Sequence, residues 1–156
     1  MPSNLYGPGD NFDLTSSHVV PALIHKFYSA TVTNSPEVVV WGTGAPRREF
    51  LHVDDMAAAA IYIMNLPRSK LDAKISPMLS HVNVGSGRDI SIHDLALLVA
   101  DVVGFTGEIV YDHSKPDGTM RKVMDSSLIS KLAWQPKIHL SEGLNDAYSW
   151  FLKNAP

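Results

Sequence analysis

Apolar positions along the chain switch between helical and strand periods, and the switches mark out its elements. Val20, Leu23, Ile24, Phe27 and Tyr28 recur at helical spacing, with Pro21 tolerable only in a first turn. Lys26 falls on a different face from Leu23 and Phe27. The polar stretch Asp13–His18 ahead of this helix offers several N-caps, and Ser35-Pro36 closes it. Val38–Val40 reads as a short buried strand. Phe50–Val53 is a second apolar segment, after which Asp54 and Asp55 open an alanine-rich helix where its dipole favours acids, and Pro67 ends it. Residues 68–80 are polar and mixed and read as a surface loop. His81-Val-Asn-Val-Gly alternates as a strand and runs into a Gly-Ser-Gly-Arg-Asp turn.

Ser91-Ile-His-Asp is a capping box for a helix with Leu95, Leu98, Val99, Val102 and Val103 on its apolar face and Gly104 as C-cap. Glu108–Tyr111 is another strand, followed by the polar turn Ser114-Lys-Pro-Asp-Gly-Thr. Ser126–Trp134 and Leu140–Asn154 read as the last helices, the final one amphipathic through Leu144, Ala147, Tyr148 and Phe151. Strands alternating with helices define an α/β (or α+β) class with short parallel pairings. The strands are too few and short for a complete doubly wound sheet and suit a subdomain better.

The N-terminal stretch Met-Pro-Ser-Asn-Leu-Tyr-Gly-Pro-Gly reads as a strand end entering a Gly/Pro loop, with nothing before it to pair with. The expectation is that the chain is the later part of a longer protein. Its 156 residues suffice for a real core. A composition of 45% hydrophobic and 19% charged residues is that of a globular chain, and a net charge of -3 argues against a nucleic-acid partner. The absence of cysteine removes disulfides, thiolate zinc sites and a cysteine nucleophile. No apolar run approaches the roughly 18 residues of a membrane span, and no signal pattern opens the chain, so a soluble, cytoplasmic protein is expected.

Chemistry concentrates between Val38 and Met56. Trp41, a Gly-Thr-Gly-Ala-Pro turn and the pair Arg47-Arg48 lie within eight residues of one another. An aromatic face, a bendable backbone and a guanidinium fork are what a planar base and a phosphate need, although a strand, a turn and a solvated basic corner would look the same. Gly42-x-Gly44 and Gly85-x-Gly87 lack the third glycine of a dinucleotide fingerprint. The seven histidines are scattered singly, so no metal site is expected. Tyr111 and Lys115 have Tyr-x-x-x-Lys spacing, but a tyrosine ending a strand and a lysine before Pro116 cannot share a helical face, and the match reads as chance.

Several segments together resemble the GDP-L-fucose synthases, extended short-chain dehydrogenase/reductases. They are Pro2-Ser-Asn-Leu-Tyr-Gly-Pro, Ser17-His-Val-Val-Pro-Ala-Leu, Val39-Val-Trp-Gly-Thr-Gly, Arg48-Glu-Phe-Leu-His-Val-Asp-Asp-Met, His81-Val-Asn-Val-Gly and Ser114-Lys-Pro-Asp-Gly. The resemblance implies a Rossmann-type enzyme that binds NADPH in an N-terminal part and a GDP-sugar in a C-terminal part, dimeric when whole. Residues 1–12 would be the last Rossmann strand and loop, residues 13–156 the substrate-binding domain, with the cofactor domain absent. By the same resemblance His18 is the catalytic acid, with Pro2, Ser3, Asn4, Leu5 and His18 at the nicotinamide end. Lys26, Trp41, Arg48, Lys115 and Asp117 face the substrate, Arg47 being the less certain arginine. The Gly-rich cofactor loop, the Tyr-x-x-x-Lys of hydride transfer and the family's catalytic cysteine are missing, so no turnover is expected from this chain alone. Two alternatives stand beside this reading: another nucleotide-sugar epimerase or dehydratase, and a non-catalytic nucleotide-sugar binding module.

Overall fold

A computed structural model describes residues 1–76, 78 and 81–154. The spine is a strand that the sequence shows only as a basic corner and an apolar patch: Arg47–His52, here β3. Its C-terminal half pairs in parallel with β1 (Asn4–Tyr6), Asn4 opposite Phe50 and Tyr6 opposite His52. Its N-terminal half lies between β4 (Asp89–Ser91), antiparallel, and β6 (Arg121–Lys122), parallel. A separate two-stranded parallel sheet joins β2 (Glu37–Trp41) to β5 (Glu108–Asp112). In β2 only Val38 and Val40 are buried, so this strand alternates and is not buried on both faces.

Helix α1 (Val19–Thr33) buries Val20, Leu23, Ile24 and Phe27 as its spacing predicts. Its N-cap is His18, with no side-chain cap bond; the Asp13 carboxylate instead accepts from the Thr15 and Ser16 amides in the preceding turn. Asn34 takes the left-handed conformation that ends it. Helix α4 (Ile92–Val103) has the expected cap, the Ser91 hydroxyl accepting from the Asp94 amide at 2.9 Å, and ends at a left-handed Gly104. Helix α6 (Leu140–Asn154) lays Leu144, Ala147 and Phe151 onto α1 and α4. Phe27, Leu95 and Leu144 are wholly buried in this core, each contributing about 1.5–3 kcal/mol of burial.

A smaller core surrounds α2 (Val53–Met64), where Leu51, Ala59, Val84, Ile129 and Trp134 meet. Asp54 and Asp55 stand in its first turn as expected. Asp54 is exposed, but Asp55 is 4% exposed and accepts from the Lys137 and Ile138 amides, tying the 135–139 segment down. The loop read over 68–80 contains a helix, α3 (Arg68–Asp72), started by Pro67; residues 77, 79 and 80 of that stretch lie outside the described residues. The strand read at 81–85 reduces to one parallel bridge between Val84 and Pro2. The helix read over 126–134 spans only Ser127–Lys131, α5, because Ala133 turns to a positive φ of 69°. Among the described residues no helix is long and apolar enough to cross a membrane.

Candidate nucleotide-sugar site

Trp41 ends β2 with its indole 66% exposed, and two cations reach it from different elements. The Lys26 ammonium, from α1, lies 5.3 Å from the ring centroid and also donates to the Val39 carbonyl at 3.1 Å. The Lys115 ammonium, from the turn after β5, lies 5.5 Å from it. Both are within cation–π range. Partial burial pushes the Lys26 ammonium below the usual lysine range.

The Gly42–Pro46 turn is fixed to the 114–119 loop by one carboxylate. Asp117 accepts from the Thr43 amide at 2.9 Å and from the Thr43 hydroxyl at 2.6 Å, and these bonds hold it below the usual carboxylate range. A side chain at Gly42 would run into Asp117, and Gly42 has a φ of 80°, so both space and backbone require glycine there. Asp117 is thus engaged within the chain, one oxygen per Thr43 donor, with lone pairs left on each.

The two arginines part company at β3. Arg47 donates through Nε and Nη2 to Asp89, both at 3.1 Å, and Arg121 reaches the same carboxylate. These guanidiniums, Arg121 first, hold Asp89 well below its ordinary range. Arg48 points the other way. Its Nη1 donates to the Arg47 and Thr119 carbonyls at 2.8 and 2.6 Å, it has no carboxylate partner among the described residues, and Gly118 leaves room beside Nη2. Alternation along a strand makes the difference, and it leaves Arg48 the guanidinium with charge to offer an anion.

Lys26, Trp41, Arg48, Lys115 and Asp117 therefore converge on one edge. His18 stands apart at the start of α1, exposed, its ring without a hydrogen-bond partner among the described residues. Eight residues of helix separate it from Lys26, about 12 Å of rise. Of the N-terminal four, Pro2 bridges Val84, and Asn4 spends its amide on the Glu49 carbonyl at 2.8 Å. Ser3 and Ser17 keep buried hydroxyls without hydrogen-bond partners among the described residues. Such hydroxyls on the Pro2–Leu5 segment and beside His18 suit the amide end of a nicotinamide; among the described residues nothing resembles a cradle for the rest of a dinucleotide. Residue types alone did not reveal Thr43, which positions Asp117, or Asp89 and Arg121, which remove Arg47 from the site; their signal was only proximity to turns.

Short, mostly parallel strands alternating with helices place the chain in the α/β class, with exposed aromatic and basic groups gathered at one loop edge. The chain belongs to the NAD dependent epimerase/dehydratase family, whose model matches residues 1–85. It is 54% identical over 154 residues to the GDP-L-fucose synthase of Escherichia coli strain K12, covering 99% of this chain and 48% of that protein. It is 51% identical to GDP-L-fucose synthase 1 of Arabidopsis thaliana, across 99% of this chain and 45% of that one. A GDP-L-fucose synthetase from Naegleria fowleri bound to NADP superposes with a TM-score of 0.84 at 30% identity, over 98% of this chain and 46% of that one. A GDP-6-OMe-4-keto-L-xylo-heptose reductase from Campylobacter jejuni gives 0.84 at 36% identity, over 97% and 52%. The chain spans about half the length of the relatives it matches.

Proposed function

We propose that this chain is the substrate-binding half of a GDP-L-fucose synthase, an NADPH-dependent epimerase and reductase when whole. The observation that carries it is the convergence of Trp41, Arg48, Lys26 and Lys115 on one edge, in a sequence 54% identical to a named GDP-L-fucose synthase. The four relatives named above share GDP in their names and differ in the sugar, fucose in three and a heptose in the fourth, which suits a half that grips the nucleotide end.

The indole stacks on the base, and Arg48, with its Nη1 already anchored on two carbonyls, presents its remaining donors to the diphosphate. Lys26 and Lys115 add charge around it. The sugar then extends toward His18. In a 4-keto sugar C3 and C5 flank the carbonyl, so loss of a proton from either leaves a stabilised enolate, and inversion needs an acid on the opposite face. The free imidazole of His18 is that acid, delivering its proton to carbon. Pro2, Ser3, Asn4 and Leu5, with His18, would hold the nicotinamide end of NADPH, which when bound would supply the hydride for reduction at C4. The opposite wall of the site, with the rest of the cofactor site and the partner base, belongs to residues outside this sequence. Cytoplasmic location and a homodimer follow from the same reading.

Calorimetry of the chain with GDP, UDP and dTDP tests it. GDP is expected to bind most tightly, and Trp41→Ala to weaken it by about 1–3 kcal/mol, roughly 5- to 150-fold. Tighter binding of UDP or dTDP would move the chain to another nucleotide-sugar epimerase. NADPH oxidation by this chain with the keto sugar would overturn its assignment as half a site.

A further inference from the structure

A concavity of the described residues contains none of the residues assigned to the GDP-sugar. It encloses about 440 Å³ between the ends of β1 and β3, the Gly85–Ile90 turn and the Ser126–Leu140 segment. That volume lies within the roughly 300–1,000 Å³ of small-molecule sites. Tyr6, Ile129 and Trp134 give it an apolar, aromatic floor.

Its walls are fixed by two carboxylates that the proposed reaction does not use. Glu49 is wholly buried and gives one oxygen to the Gly87 amide at 2.7 Å and the other to the Met124 amide at 3.0 Å. Asp55 holds the Lys137 amide at 3.0 Å and the Ile138 amide at 2.9 Å. A buried carboxylate whose oxygens are filled by backbone donors is costly to move, so both walls are set before any ligand arrives. Arg88 and Lys137 line the cavity with exposed cationic side chains, His139 stands beside them, and no Asp or Glu is among the lining residues. An anion entering it would meet two cations with no carboxylate in the lining.

We infer that this cavity is a second ligand site, for a small ring compound carrying a phosphate or carboxylate. The ring lies against Trp134 and Tyr6, and the anion meets Arg88 and Lys137. The site shares no lining residue with the nucleotide-sugar edge.

Each tryptophan reports on a different place: Trp134 on the cavity, Trp41 on the nucleotide edge, and Trp150 on a stack with Phe12 at 5.9 Å. Phenyl phosphate is titrated into the nitrogen-15-labelled chain while the three indole N–H signals, assigned by Trp→Phe variants, are followed. Saturable movement of the Trp134 signal, with Trp41 and Trp150 unmoved, is the expected result. The double variant Arg88→Glu, Lys137→Glu changes exposed side chains only and should weaken binding at least tenfold with the other indole signals in place. GDP should move Trp41 and leave Trp134. Movement of Trp41 by phenyl phosphate, no saturable movement of Trp134, or an affinity indifferent to the charge reversal would each overturn the inference. Failure of GDP to bind would sink the function proposed above and leave this site standing.

Discussion

Glu49 is the residue whose loss tests the architecture most sharply. It lies mid-β3, fully buried, and its two oxygens are spent on the amides of Gly87 and Met124. Gly85 has no side chain because one would meet the Glu49 carboxyl and the Ser126 hydroxyl at 2.8 Å. Glu49→Ala leaves two amides facing an empty space. An unpaired N–H costs about 1–3 kcal/mol when buried and less at Gly87, which is exposed and can turn to water, and relief of the buried charge offsets part of this, so a net loss of about 1–3 kcal/mol is expected. With a urea m-value of about 2 kcal/mol/M, the midpoint should fall by about 0.5–1.5 M. Glu49→Gln keeps the shape and one acceptor but turns an amide NH2 toward the other N–H, so it should lose roughly half as much. Urea titration followed by circular dichroism reads both. Variants within about 0.5 kcal/mol of the parent would show that the two loops are held by something other than Glu49, and the fixed walls of the cavity would lose their cause.

Three further outcomes follow from contacts elsewhere. Gly143→Ala improves helix propensity by about 1 kcal/mol, yet a side chain there would lie 2.9 Å from the Tyr6 and His52 rings, and net destabilisation of about 1–2 kcal/mol by thermal or urea melting is expected. Arg48→Lys should weaken GDP binding about tenfold in calorimetry while Arg47→Lys, its partner being Asp89, leaves it nearly unchanged. Asp89, Asp112, Asp117 and Asp125 are all held below the ordinary carboxylate range, by Arg121 and Arg47, Ser114, Thr43 and Ser127 respectively. A carboxyl whose folded pKa is depressed contributes fully above its unfolded value, about 3.9, and loses that contribution as pH falls through the folded one. Their share of acid unfolding should therefore fall below about pH 4, and Thr43→Val should bring the Asp117 titration, read by carboxyl carbon NMR, back up.

The helices were legible wherever period and cap agreed. Ser91 and Gly104 bracket α4 as the capping box and glycine dictate, and Leu140–Asn154 is helical from end to end. The strands were less so, because pairing partners decide them. Arg47-Arg48-Glu49 carries no strand signature, yet it is the centre of the sheet, since β4 and β6 supply hydrogen bonds on both sides and Asp89 and the two loop amides take up its charges. His81–Gly85 has the alternation, but among the described residues its backbone bonds only to the first three residues of the chain, through Val82 and Val84, and forms a single bridge. At the candidate site, residue type pointed to Trp41 and an arginine; which arginine needed the register of β3. Asp55 stands in the first turn of α2 as expected, and its second task, holding two amides of a distant loop, has no signature in the sequence.

The most direct test of the central claim is a crystal structure of this chain with GDP. The account predicts the purine stacked on Trp41, the diphosphate against Arg48 with Lys26 or Lys115 beside it, and the β-phosphate directed along α1 toward His18. Nucleotide bound away from Trp41, or a diphosphate paired with Arg47 in place of Arg48, would contradict it.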